Sequence, residues 1–177
     1  MQKKLEAIYN FHCPRWDELP GERIFNQEVV DYICKVLEPI SFDEVPITTT
    51  MVQNYVKLEY MPKSPGRKYN RTQIAYLIVI SIYKRVLNIK DVRKGVDLQL
   101  NLMDIKAAYN IFAQGLEDGI RRNFKSTIES NEFKLCEFVG VPESAGIDII
   151  AHAFALRLLG TILIESNGYK GLGGKNE

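Results

Sequence analysis

Paired cysteines are missing from this chain. Cys13, Cys34 and Cys136 are three in number and far apart, with no CxxC pair and no Cys/His ligand spacing. That pattern argues against a structural zinc site and a metal-sensing cysteine set. Free thiols suit a reducing cytoplasm, the expected location. Catalytic signatures are equally scarce: GxSxG, HExxH and GxGxxG do not occur. LGGKN near the C-terminus lacks the Ser/Thr after lysine and any helix to follow, so it does not read as a phosphate loop. The neighbours His12 and Cys13 would suit a catalytic thiol, but a small residue in the core is the stronger reading. Asp148 and His152, at i and i+4, read as a core or subunit pair before an acid–base couple. No enzyme and no cofactor are expected.

Nor does the chain open with a long apolar stretch, so no signal peptide is expected. Its most membrane-like run, residues 147–164, carries Asp148, His152 and Arg157. Charges inside a bilayer are costly, so a buried or oligomer-facing helix is expected there, and no membrane partner. Strand signals are few, and a pair of short strands flanking SPGRK (residues 64–68) is the main one.

What is present is helical periodicity. The chain has 177 residues, 46% hydrophobic and 25% charged, enough for one core without staples. FNQEVVDYICKVLEPI places Val29, Val30, Ile33, Val36 and Leu37 at helical spacing, with Asn26 as N-cap and Pro39 as terminator. A second helix begins at Thr48 and runs to near Tyr60, and Pro62, Pro65 and Gly66 then mark a loop. Asn70 and Gln73 form a capping-box pattern ahead of RTQIAYLIVISIYKRVL, a helix apolar on most faces and expected at the centre of its domain. A brief helix is expected around Ile89, Val92 and Val96. A long amphipathic segment from Asn101 to about Ser130 carries one apolar stripe over about 40 Å. That stripe serves either a second copy or the last helix of the same chain. FKLCEFVG is expected to be a brief strand or turn, and the final Gly-rich residues to be disordered.

Charge is unevenly distributed. Formal net charge is only +1, yet residues 48–94 hold ten lysines and arginines against two acids, Glu59 and Asp91, a net +8. Residues 1–47 carry −4 and residues 95–177 carry −3. Confined like charge repels itself, so either the flanking acids pair with it or it faces a polyanion. A short helix with Thr49, Thr50, Gln53 and Asn54 at its front suits a major groove, where such side chains meet phosphates and base edges. Lys57, Lys63, Arg67, Lys68, Tyr69 and Arg71 would serve phosphates or the minor groove, with Lys84 and Arg85 reaching a flanking phosphate.

These residues resemble the winged helix-turn-helix of MerR-like transcriptional regulators over about residues 48–96. TTTMVQNYVKLEYMP resembles the recognition helix with its hydrophobic-Pro step, Met61-Pro62. GRKYNRTQIAYL resembles the wing, and KRVLNIKDVRKGV the second helix-turn-helix. The whole chain resembles a bacterial family of unknown function carrying this domain. The resemblance implies that Gln53 stands where such regulators have a DNA-contacting arginine, and Tyr55 where a tyrosine touches the backbone. It likewise sets Arg67 on the wing arginine and Tyr69 on the tyrosine that closes the wing. Two departures stand out: the connector of about ten residues ahead of the recognition helix, and the first 25 residues, which have no counterpart.

The expectation is therefore a mainly α protein: a winged helix-turn-helix with a β-hairpin wing, then a helical dimerisation or bundle region. Residues 1–96 would form the N-terminal extension and DNA-binding domain, 97–168 the dimerisation or effector region, and 169–177 a tail. The expected partners are double-stranded DNA and a second copy, with any small-molecule effector unspecified. The alternative is a non-catalytic protein-interaction module that keeps the winged-helix shape.

Overall fold

The computed structural model describes residues 2–42, 44–64, 66–130 and 141–165. The expected strand or turn at FKLCEFVG and the C-terminal tail both lie outside the described residues. Two compact units result, Cys13–Ala113 being one, and residues up to His12 together with those from Gln114 onward the other. Among the described residues the fold is mainly helical, with seven α-helices and a two-stranded antiparallel sheet.

The Cys13–Ala113 unit begins with a 3-10 turn, Trp16–Glu18, and the strand β1, Ile24–Phe25. Helix α2 (Asn26–Leu37) follows at once. Phe25 rather than Asn26 is its N-cap: the Glu28 carboxylate accepts the Phe25 N–H at 2.7 Å, satisfying a donor at the helix start. Asn26 is thereby released to donate its side-chain amide to the Thr49 carbonyl at 3.1 Å, tying the start of α2 to the start of α3 (Thr49–Lys57). Val29, Val30, Ile33 and Leu37 bury one face of α2. After Leu37 the chain tightens into a 3-10 turn, Glu38–Ile40, because Pro39 cannot continue the α pattern.

The sheet departs from expectation. The strand β2, Lys68–Tyr69, pairs with β1 and not with the other limb of the SPGRK loop, in the register Ile24 to Tyr69 and Phe25 to Lys68. Pro62 on that limb has no N–H to give a ladder. Side chains close the loop instead: Ser64 Oγ donates to the Lys68 carbonyl, and Gln73 Nε2 donates to the Lys63 carbonyl at 3.3 Å. The chain order is thus strand, helix, helix, strand, with the two strands joined.

Behind this frame lies α4, Arg71–Tyr83. Asn70 and Gln73 make the reciprocal capping box, and Ile74, Leu77, Ile78, Ile80 and Ile82 are buried almost completely. Burial on so many faces places α4 at the centre of the unit, packed against α2, β2 and α5. Helix α5 runs Ile89–Leu100, longer than its apolar spacing suggested, from an Asn88 cap. Asp104 Oδ1 accepts the Ala107 N–H at 3.0 Å and starts α6, Ile105–Ser130, four residues later than the amphipathic pattern implied.

The other unit contains α1 (Gln2–Tyr9), α6 from Gln114, and α7 (Ala145–Glu165). Within this unit the apolar stripe of α6 is buried at Leu116, Ile120 and Phe124. A Cβ on Gly119 would stand 3.1 Å from the Ala151 backbone, so α6 and α7 touch closely there. Asn123 Nδ2 bridges the Gly119 carbonyl at 2.7 Å and His152 Nδ1 at 2.8 Å. Asp148 accepts the Ser144 hydroxyl at 2.7 Å. Helix α7 is long and apolar enough to cross a membrane by length and composition.

Candidate nucleic-acid interface

Helix α3 sorts its residues cleanly. Thr48 caps it, its Oγ1 accepting the Met51 N–H at 3.2 Å, and Val52 is fully buried. Thr50, Gln53, Asn54 and Lys57 are all exposed, at the i, i+3, i+4, i+7 spacing of a single face. Thr49 and Tyr55 are half-buried beside that face. A polar stripe with one lysine therefore points outward from a short, well-capped helix. Its donors and acceptors match those that read base edges and phosphates.

The helix stops at Lys57 rather than near Tyr60. Glu59 turns left-handed (φ 59°), the Tyr60 N–H reaches the Tyr55 carbonyl at 2.9 Å, and the Glu59 N–H reaches Val56 at 3.2 Å. These two bonds make a Schellman terminator, with the Tyr55 and Tyr60 rings 6.4 Å apart as its apolar clasp. Glutamate occupies the position that glycine usually takes.

The cations fall into two groups. Arg85 is structural in placement: its side chain is 5% exposed and donates to the Ile40 carbonyl at 3.1 Å, with Glu44 at 3.6 Å. Arg71 donates to the Leu19 carbonyl at 3.2 Å and faces Asp17 at 3.7 Å. Lys84 is half-buried with Nζ 3.6 Å from Met51 Sδ. Burial, seconded by Arg85, pulls its pKa down, while Glu44 opposes that shift. Arg93 pairs with Asp97 at 2.7 Å, and Lys63 with Glu59 at 3.1 Å.

The second group is open. Lys57, Arg67, Lys68, Lys90 and Lys94 are exposed, and no carboxylate among the described residues holds them. Lys68 Nζ sits 4.6 Å above the Phe25 ring, a cation–π contact that steadies the loop's second limb. Tyr69 is buried, and burial raises its pKa. Gly66 adopts φ 88°, a turn that glycine makes without strain. Lys90 and Lys94, at i and i+4 on α5, were counted in the basic stretch but not singled out as contacts. Phe25 was not foreseen as a platform, since nothing in the sequence pairs it with Lys68.

Beside α3 an open groove of about 360 Å³ is lined by Glu59, Met61, Pro62, Lys63, Tyr76 and Arg93. Arg93 also donates to the Glu59 carbonyl, so the groove's charged rim is already cross-tied. Among the described residues, no three His, Cys, Asp or Glu side chains converge to hold a metal ion.

The fold and site define a mainly helical protein in which one unit holds a short helix with a polar outward face, several exposed cations and a small antiparallel sheet. The family model described as a domain of unknown function (DUF1836) matches residues 14–112, more than half of the chain, and the protein belongs to that family. No curated protein and no solved structure matches the chain.

Proposed function

We propose that the Cys13–Ala113 unit binds double-stranded DNA and that the protein is a dimeric transcriptional regulator. The observation that carries this reading is the outward face of α3, with Thr50, Gln53, Asn54 and Lys57 in one stripe and no acid among them. In this reading α3 enters the major groove. The strand–helix–helix–strand order serves as a winged helix-turn-helix, and the loop before β2 brings Arg67 and Lys68 to the neighbouring backbone. Arg67, Lys68 and, on the helix, Lys57 are exposed cations that suit phosphate contacts, which set affinity and register.

The test is duplex binding followed by fluorescence anisotropy across a salt series. Affinity should fall by roughly one log unit per log unit of salt for each phosphate contact. The Arg67→Ala/Lys68→Ala pair should lower that slope by about two. A flat response in the wild type refutes the reading.

A second reading is favoured by a different observation: Phe25, Val45 and Leu58 are large apolar residues exposed on the same unit. They suit a protein-interaction module that keeps this fold without using it on DNA. In that case duplex binding is absent at low salt as well.

A further inference from the structure

Helix α7 is apolar on two opposite faces, and among the described residues only one of them is covered. The inner face, with Ala151, Phe154, Leu158 and Ile162, is buried. On the outer side stand Ile149, Ala153, Leu156, Gly160, Leu163 and Ile164, none of them polar and none of them buried. Ile149 is 59% exposed, Leu156 39% and Ile164 80%. At about 100° per residue these six fall within a sector about 100° wide, so they form one continuous stripe. Over a helix about 31 Å long, a strip about 10 Å wide offers roughly 300 Å² per copy, the size of the largest apolar patch on a typical monomer, and such patches are often functional.

We propose that this stripe pairs, antiparallel, with the same stripe of a second copy of the chain. Its order argues for that occupant. From Ile149 to Leu163 it runs large, small, large, small, large at steps of four and three, and so reads nearly the same from either end. A two-fold interface demands such self-complementarity, because each side meets its own profile reversed. Ala153 and Gly160, seven residues apart, let two backbones approach closely at two places. Helix α6 does not compete for this role, since its Gly115 and Gly119 already receive the inner side of α7. Hydrocarbon is a poorer occupant. Arg157 lies near the middle of the helix beside the stripe and His152 flanks its other edge, where a bilayer would penalise charge.

This inference rests on the dimer in the proposed function but not on its DNA. Sedimentation equilibrium of the full chain, from about 1 to about 100 µM, should show a reversible dimer. Leu156→Lys and Ile149→Glu should each weaken association at least tenfold while far-UV circular dichroism and the melting curve stay unchanged, since both sites are exposed. A wild type that is monomeric throughout, or a dimer indifferent to both variants, overturns the proposal. So does a monomer that floats with phosphatidylcholine vesicles and loses that property in Leu156→Lys, which assigns the stripe to lipid. A monomer that still shows the steep salt slope on DNA refutes the pairing and leaves the DNA reading intact.

Discussion

Replacing Glu59 by glycine should stabilise the protein, although it deletes an ion pair. Glu59 holds φ 59° at the C-terminal stop of α3, where a side chain crowds its own backbone by about 1–2 kcal/mol. Glycine removes that strain and adds about 0.5–1 kcal/mol of chain entropy to be lost on folding. The net gain is about 1 kcal/mol relative to alanine at the same position. The lost partner matters little: Glu59 and Lys63 side chains are 74% and 70% exposed, and an exposed pair of this kind contributes close to nothing. Glu59→Ala is the control, since it loses the pair and keeps the strain. Urea unfolding of the full chain should place the Gly midpoint about 0.5 M above the Ala midpoint, at equal slope, for a slope of about 2 kcal/mol per M. Equal midpoints, or a more stable Ala variant, would refute the left-handed stop. In the same two variants Lys63 loses its carboxylate, so the salt slope on duplex DNA should steepen by up to about one phosphate equivalent.

Two glycines should respond in opposite directions. Gly95→Ala on α5, where a Cβ meets nothing, should raise stability by about 0.5–1 kcal/mol, whereas Gly119→Ala must push against the Ala151 backbone at 3.1 Å and should lower it by about 1 kcal/mol or more, both read from thermal melts. Burial, aided by Arg122 and opposed by Asp148, holds His152 below its ordinary 6.5. The unfolded chain therefore takes up the proton first: stability is full above pH 6.5 and declines as pH falls below it. His152→Gln should flatten the drop in Tm between about pH 7 and about pH 5, and an unchanged drop would place the titrating group elsewhere.

Helices were legible where local rules and burial agree. Asn70 with Gln73 ahead of an all-apolar run could only be a capped central helix, and α4 is that. The sheet was not legible, because Ile24–Phe25 is too short to show alternation and its partner lies more than forty residues away. Proximity along the chain favoured a hairpin, and the missing N–H of Pro62 decided against it. The cap of α2 was misassigned for a similar reason: Asn26 has the right chemistry, but Glu28 reaches one residue further back. At α3 the outward stripe could be read from spacing, whereas its stop could not, since nothing in a sequence announces a glutamate in the left-handed region.

The charge pattern needed the third dimension most. Ten cations in one stretch look like a single footprint, yet folding divides them by where the acids of the flanks arrive. Asp17 is drawn between Arg71 and Lys106, the latter at 2.8 Å, and these cations hold its carboxyl below the usual range, Lys106 most strongly. Glu44 reaches Arg85, whose guanidinium also serves the connector at Ile40. These contacts make Arg71 and Arg85 fasteners of the chain around α4. Their replacement should lower stability before it alters any salt dependence. Lys57, Arg67, Lys68, Lys90 and Lys94 lie beyond the reach of those acids, and an anionic partner would meet these five first. Charge reversal at Lys90 and Lys94 on α5, compared with reversal at Arg67 and Lys68, then decides whether the footprint extends past the loop. Equal losses of duplex affinity imply one broad face, and a loss confined to Arg67 and Lys68 implies contact through α3 and the loop alone.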